Sequence, residues 1–170
     1  QGNTTMASNF YIQIGDLKSS STDHAHKEWI EVLSWNHGVS QTMTASDRSA
    51  GNVTVERCHH QDYTFTKYID KSTPDLFVHC SQGTVFPKVT LECYRASGVD
   101  LKPVAYWKVI MTEVCLSSVS ISGAEGGVPT EAISLNYGTV EWTYDTHDMS
   151  TGGGTGPVVK GWTIPLNQQL

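Results

Sequence analysis

Apolar and polar residues alternate with a period of two along most of this chain, and one short stretch breaks to helical spacing. Phe10, Ile12 and Ile14 share one parity and Gly15 ends the run, which predicts a half-buried strand over residues 9–15. Residues 19–26 form a polar connector. Residues 28–35 are apolar on both parities, Ile30 and Val32 on one, Trp29, Leu33 and Trp35 on the other. Val53, Val55 and Arg57 alternate with Thr54, Glu56 and Cys58, and after a polar break Tyr63, Phe65 and Lys67 alternate in the same way. Val89, Leu91 and Cys93 mark a clean one-faced strand. Residues 97–100 read as a turn and residues 123–129 as a loop. Residues 104–116 are the longest strand and apolar on both faces, with Tyr106, Ile110 and Val114 against Trp107, Val109 and Met111.

Residues 131–144 carry Ile133, Leu135 and Tyr137 on odd positions, then Val140, Trp142 and Tyr144 on even ones. A two-residue period cannot change faces without a defect, so a bulge or bend is predicted at Gly138 and Thr139. A glycine-rich loop covers 151–156, and Val158, Trp162, Ile164 and Leu166 close the chain as a last strand.

The helical stretch follows Tyr68. Ser72 or Thr73 offers a hydroxyl to the first turn, and Pro74 sits where its missing N–H costs nothing. Asp75 places a negative charge at the positive end of the helix dipole. Leu76, Phe77 and Cys80 supply an apolar face, and Gly83 is a good stop. Two to three turns are too short to stand alone and must dock on something larger. The sum is about eight strands and one helix. The pattern reads as a mainly β fold, a two-sheet antiparallel β-barrel or sandwich with one short flanking α-helix. Strands apolar on both faces need a second cover, a helix, a sheet or another subunit.

The 170 residues fit one domain, residues 6–170. Residues 1–5 read as a non-native leader, with Met6 as the natural start. No basic and apolar secretory leader is seen, and no run of eighteen apolar residues suggests a membrane span. A net charge of −6 argues against nucleic acid and anionic membranes as partners. Cys58, Cys80, Cys93 and Cys115 lack metal or disulfide spacing and read as reduced thiols. The glycosylation pattern at Asn52 reads as chance.

Candidate chemistry is thin. Cys58, His59 and His60 are neighbours in a strand and point to opposite faces, so they do not converge on a metal. His24 and His26 lack a third ligand. The glycines at 152–154 are followed by no helix to cradle phosphate, and Lys160 reads as a solvated strand residue. Asp145, His147 and Asp148 read as a surface turn. No nucleophile, base and orienting group assemble, so the chain reads as a non-enzyme without cofactor or metal. The segment Gln41, Thr42, Met43, Thr44, Ala45, Ser46, Asp47, Arg48, Ser49, Ala50 and Gly51 is small, polar and aperiodic. It reads as a long loop, and loops of that length are often functional.

Six segments, in order, resemble the Hcp family of bacterial type VI secretion. They are residues 10–16, 26–35, 65–74, 114–120, 135–144 with Leu135, Asn136 and Tyr137 followed by Val140 to Tyr144, and finally Gly161 with Trp162. The resemblance implies a β-barrel-like subunit with one flanking helix, six of which form an open ring. Rings would stack into a tube that partners a contracting sheath and a VgrG spike and carries small effectors. The tube would leave the bacterial cytoplasm for the exterior or a target cell without a signal peptide. The chain stops at Leu170, which implies the plain structural form. Under the same resemblance Asn36 and His37 would face the lumen and its cargo, and the 41–51 loop would contact neighbouring or stacked subunits. A soluble β-sandwich module for sugars or other ligands is the alternative, with Trp35, Trp142 and Trp162 as an exposed stacking platform. A hydrolase on a β-scaffold is the weaker third.

Overall fold

Fourteen strands and one helix form among the described residues, against about eight strands expected. The structure, a computed structural model, describes residues 10–44, 54–96, 103–147 and 154–170. The leader at 1–5, the turn at 97–100, residues 45–51 of the expected loop, Asn52 and Asp148 lie outside them. The strands begin with β1 (Phe10–Ile14), β2 (Ile30–Glu31), β3 (Ser34–Asn36), β4 (Val39–Ser40) and β5 (Met43–Thr44). Next come β6 (Thr54–Val55), β7 (His59–His60) and β8 (Tyr63–Tyr68), followed by the helix α1 (Thr73–Gln82). The long strands are β9 (Val85–Ala96), β10 (Pro103–Ser122), β11 (Thr130–Asn136), β12 (Thr139–His147) and β13 (Gly154–Thr163), and β14 (Gln168–Gln169) ends the series.

β10 organises the sheet. Of its 20 residues, 103–115 run along β9 on one edge, and on the other edge the strand pairs first with β12 and then with β11. All pairings are antiparallel. β11 and β12 keep one register on β10, since Cys115 faces Asn136 and Thr112 faces Thr139. The break between them falls at Tyr137 and Gly138, one residue ahead of the predicted Gly138 and Thr139, since Thr139 already pairs with Thr112. β10 breaks opposite, at Glu113, with φ of 53°. The Gly138 N–H donates to the Thr112 carbonyl at 3.0 Å, and a Cβ on Gly138 would meet the Glu113 side chain. Both strands therefore change face together. The core side of β10 is Val109 and Met111 before the break and Val114 and Leu116 after it. Part of the two-faced apolarity read from residues 104–116 is this change of phase.

Residues 28–35 are likewise two short strands. Ile30 and Glu31 pair with β1, whereas β3 pairs with β8. The Val32 N–H still reaches Phe10, and the Leu33 N–H already reaches Thr66. One run of chain thus stitches the β1 edge to the β8 edge, which explains why apolar residues occupy both parities. The core lies between β1, β8, β9, β10, β11 and the near half of β12, with Ile12, Phe65, Leu91, Val109, Met111 and Ile133 at its centre.

The helix forms where Pro74, Asp75 and Gly83 place it, and Gly83 takes the left-handed conformation at φ 64°. Leu76 is fully buried, and Cys80 Sγ donates to the Leu116 carbonyl at 3.5 Å, which docks α1 on β10. Phe77, expected on the buried face, is 38% exposed. Ser72 stands at the N-cap, but no side-chain cap bond forms. Its hydroxyl donates to Asp70 Oδ1 at 2.6 Å instead, and the Thr73 hydroxyl donates to Glu131 Oε1 at 3.1 Å.

Those hydroxyls serve a buried ion cluster. Lys67 and Glu131 face each other across the β8–β11 ladder on the core side, both essentially inaccessible. Lys67 Nζ touches Glu131 Oε1 and lies 2.8 Å from Asp70 Oδ1. Ser19, from the connector after β1, bonds the other Asp70 oxygen. Burial pushes the Asp70 carboxyl up, but hydrogen bonds from Lys67, Ser19 and Ser72 and the Lys67 charge outweigh it and hold it below its ordinary 3.8. A depressed carboxyl stabilises the fold above the unfolded value and loses that contribution as pH falls through the folded one. Replacing Lys67 with Met strands two carboxylates and is expected to cost about 3–5 kcal/mol. Urea titration near neutral pH checks this, and the wild-type midpoint is expected to fall below about pH 4.

Candidate functional site

Of the expected loop at 41–51, residues 41–44 are described, and they belong to a paired arm with residues 54–60. β4 pairs with β7 and β5 pairs with β6, so Met43 and Thr44 lie in a ladder rather than in irregular chain. A string of small polar residues hides this, because a ladder of two residues is too short to leave a hydrophobic period. Of the described residues 54–58, Thr54–Val55 is strand and residues 56–58 are not. Gln41 Nε2 donates to the Glu56 carbonyl across the arm.

The root of the arm is held tightly. The Gln61 N–H donates to the Gly38 carbonyl at 2.9 Å. Asp62 accepts from Ser117 Oγ at 2.6 Å and from Asn136 Nδ2 at 3.0 Å. Arg57 donates to the Ile164 carbonyl on the C-terminal segment. Between these anchors lies a set of rings. His37 stacks on Tyr63 with centroids 4.8 Å apart, and Trp35 stacks on the same Tyr63 at 5.7 Å. His37 Nε2 is 2.5 Å from Tyr137 Oη, and that hydroxyl also reaches the Gln61 carbonyl at 3.3 Å. His60 lies parallel to Trp162 at 6.2 Å.

Asn36 and His37, named together by the sequence, diverge. Asn36 is exposed at the end of β3, whereas the His37 ring is half-buried among tyrosines. The expected tryptophan platform does not form. Trp35, Trp142 and Trp162 are each partly buried and packed on the core, and Trp35 and Trp162 stack on other rings of this chain. His26 is engaged as well, with Nδ1 2.8 Å from Asp23 and Nε2 3.0 Å from Glu92, stacked on Tyr11 at 4.3 Å. His24 is exposed and Asp145 half-buried.

Beneath the arm root the inner face of the sheet runs into the open. Three cross-strand rows lie on this face. Val89, Met111, Val140 and Trp162 form the first, Leu91, Val109, Trp142 and Lys160 the second, and Cys93, Trp107, Tyr144 and Val158 the third. Each row begins fully buried on β9 and ends less buried on β13, and in the third Tyr144 is 41% and Val158 54% exposed. The result is an open groove of about 450 Å³, roofed by His37, Gly38 and Val39 and floored by Trp107, Trp142, Tyr144 and Val158, with Lys160 at its edge. Chemically it offers apolar and aromatic surface with one ammonium. The alternation of residues 140–144 and 158–162 carried this signal, but the partner strands were needed to show that the rows share a face.

Burial, and secondarily charge on His60, lowers the His37 pKa; burial, and secondarily His59, lowers that of His60. Burial pushes the Tyr137 hydroxyl up. Burial thus favours the neutral form of each of these three rings. A base with a depressed folded pKa stabilises the fold above its unfolded value of 6.5 and loses that contribution as pH falls through the folded one. Amide exchange in residues 37–40 and 59–63 is expected to quicken as pH drops from about 7 to about 5, after correction for intrinsic rates. The His37→Gln/His60→Gln variant is expected to flatten that response.

Comparison with known proteins then gives a consistent result. A family described as "Type VI secretion system effector, Hcp" matches residues 11–144. The chain is 39% identical over 165 residues to protein Hcp1 of Pseudomonas aeruginosa, covering 96% of this chain and 99% of that one. A structure described as that of a type six secretion system protein superposes with a TM-score of 0.86 at 30% identity, covering 96% of this chain and all of that one. Hcp1 of Salmonella typhimurium gives 0.75 at 26% identity, with 95% and 97% covered.

Proposed function

The chain belongs to the Hcp family of type VI secretion proteins, and from that premise we propose that it is the structural subunit of the secretion tube. Six copies close into a ring around an open centre, and rings stack into a tube that carries effectors. The sheath and the VgrG spike are its other partners, and it passes from the cytoplasm to the outside without a signal peptide. No helix among the described residues is long and apolar enough to cross a membrane.

One observation carries the reading. The core face of the sheet extends beyond what the subunit itself covers, so that Tyr144 and Val158 stand open on the face that buries Val109 and Leu91. Apolar surface left in continuity with a core is what subunit packing would cover. A closed ring joins two different patches of each copy, and the uncovered end of this face would supply one of them. The paired segments 38–44 and 54–61 leave the sheet beside the groove, and we assign this arm to contacts between neighbouring or stacked copies. We assign Asn36, exposed at the end of β3, to the cargo side and His37 to support of the arm root.

The alternative of a sugar-binding module loses its platform, because two of its three tryptophans are occupied by other rings. Native mass spectrometry separates the two readings. A species of six times the 18.6 kDa chain is expected, and a monomer at all concentrations overturns the ring. Shortening residues 41–51 to a tight turn is expected to leave thermal unfolding of the subunit intact and to weaken assembly. Unchanged assembly would remove the arm from it.

A further inference from the structure

We propose that the groove beneath the arm root receives the β10–β11 hairpin tip of a second copy of this chain. The inference rests on the ring reading and names its contact. The groove and the tip lie at opposite ends of one hairpin. Trp107 and Tyr144 face each other at one end, and Ser122 and Thr130 close the other. Fifteen residues of β10 separate them, about 50 Å of strand path, so the contact belongs between copies and joins head to tail.

The tip has the chemistry the groove lacks. The Gly127 N–H donates to the Ala124 carbonyl at 3.2 Å, and Gly126 takes φ of 81°. That tight turn sets Glu125 at its corner. Val128, 65% exposed, and Ile121, 48% exposed, flank it as apolar surface. The groove is apolar with an exposed Lys160 at its edge. Neither Lys160 nor Glu125 has an ion-pair partner among the described residues. An apolar tip with one carboxylate thus meets an apolar groove with one ammonium, and opposite charges set the register of such contacts.

Charge exchange tests the contact. Lys160→Glu and Glu125→Lys are both at exposed positions, and the far-ultraviolet circular dichroism and thermal midpoint of each variant are expected to match wild type. Each reversal alone is expected to weaken assembly by about tenfold, read by analytical ultracentrifugation, and the combined variant to recover most of it. A photo-cross-linker at Val128 is expected to trap β12 or β13 peptides of another copy. If wild type assembles and the single reversals do not weaken it, or the pair does not recover, the contact is overturned while the ring stands. A wild type that never assembles overturns the ring reading itself.

Discussion

The matched breaks at Glu113 and Gly138 determine the shape of this subunit. A strand of twenty residues can bury only one parity against one core. β10 serves two regions by changing phase at Glu113, and the β11–β12 strand changes with it, so that their ladder holds register across the defect. Beyond the break toward the helix, β8 and β3 extend the sheet past β11, while β1 pairs with β9 opposite the part of β10 before the break. Before it, β12 and β13 carry the same face outward beneath the arm. Without the paired change, Val114, Leu116 and Ile133 would turn to solvent. The uncovered groove follows from the same geometry as the closed core.

The Lys67 cluster fixes what the breaks leave free. It ties the end of β8 to β11, to the start of α1 and, through Ser19, to the connector after β1. An ion cluster this deeply buried contributes little net stability over an apolar replacement, yet losing one member is costly. Its service is to set register, because Lys67 and Glu131 satisfy each other only when β8 and β11 pair as they do. The helix is then held by Leu76 and by the hydroxyls of Ser72 and Thr73, which answer to Asp70 and Glu131 rather than to the helix end.

Much of this was legible in the residues. The period of two gave the strands, the Pro74 to Gly83 signals gave the helix, and the parity switch after Tyr137 gave the break. Lys67 was read on the core parity with Tyr63 and Phe65, and Glu131 stands on that of Ile133 and Leu135, so the ion pair was present in the pattern though not drawn from it. What stayed hidden depends on partners distant in sequence. The break at Glu113 was masked because Ile110 and Tyr106 are apolar on the opposite parity. The arm ladders are too short and polar to print a period. The groove needs three strands in register, which no single segment announces. His37 was singled out beside Asn36, but only the fold shows that its ring turns inward to Tyr63 and Tyr137.

The claim beneath all of this is that the inner face of β12 and β13 is finished by another copy of the chain. Electron cryo-microscopy of the wild-type protein in solution, at a resolution that places side chains, tests it most directly. An annular particle is expected, with Trp142, Tyr144 and Val158 buried under a neighbouring subunit. A ring in which those three side chains remain open to solvent, or a population of single subunits, would contradict it.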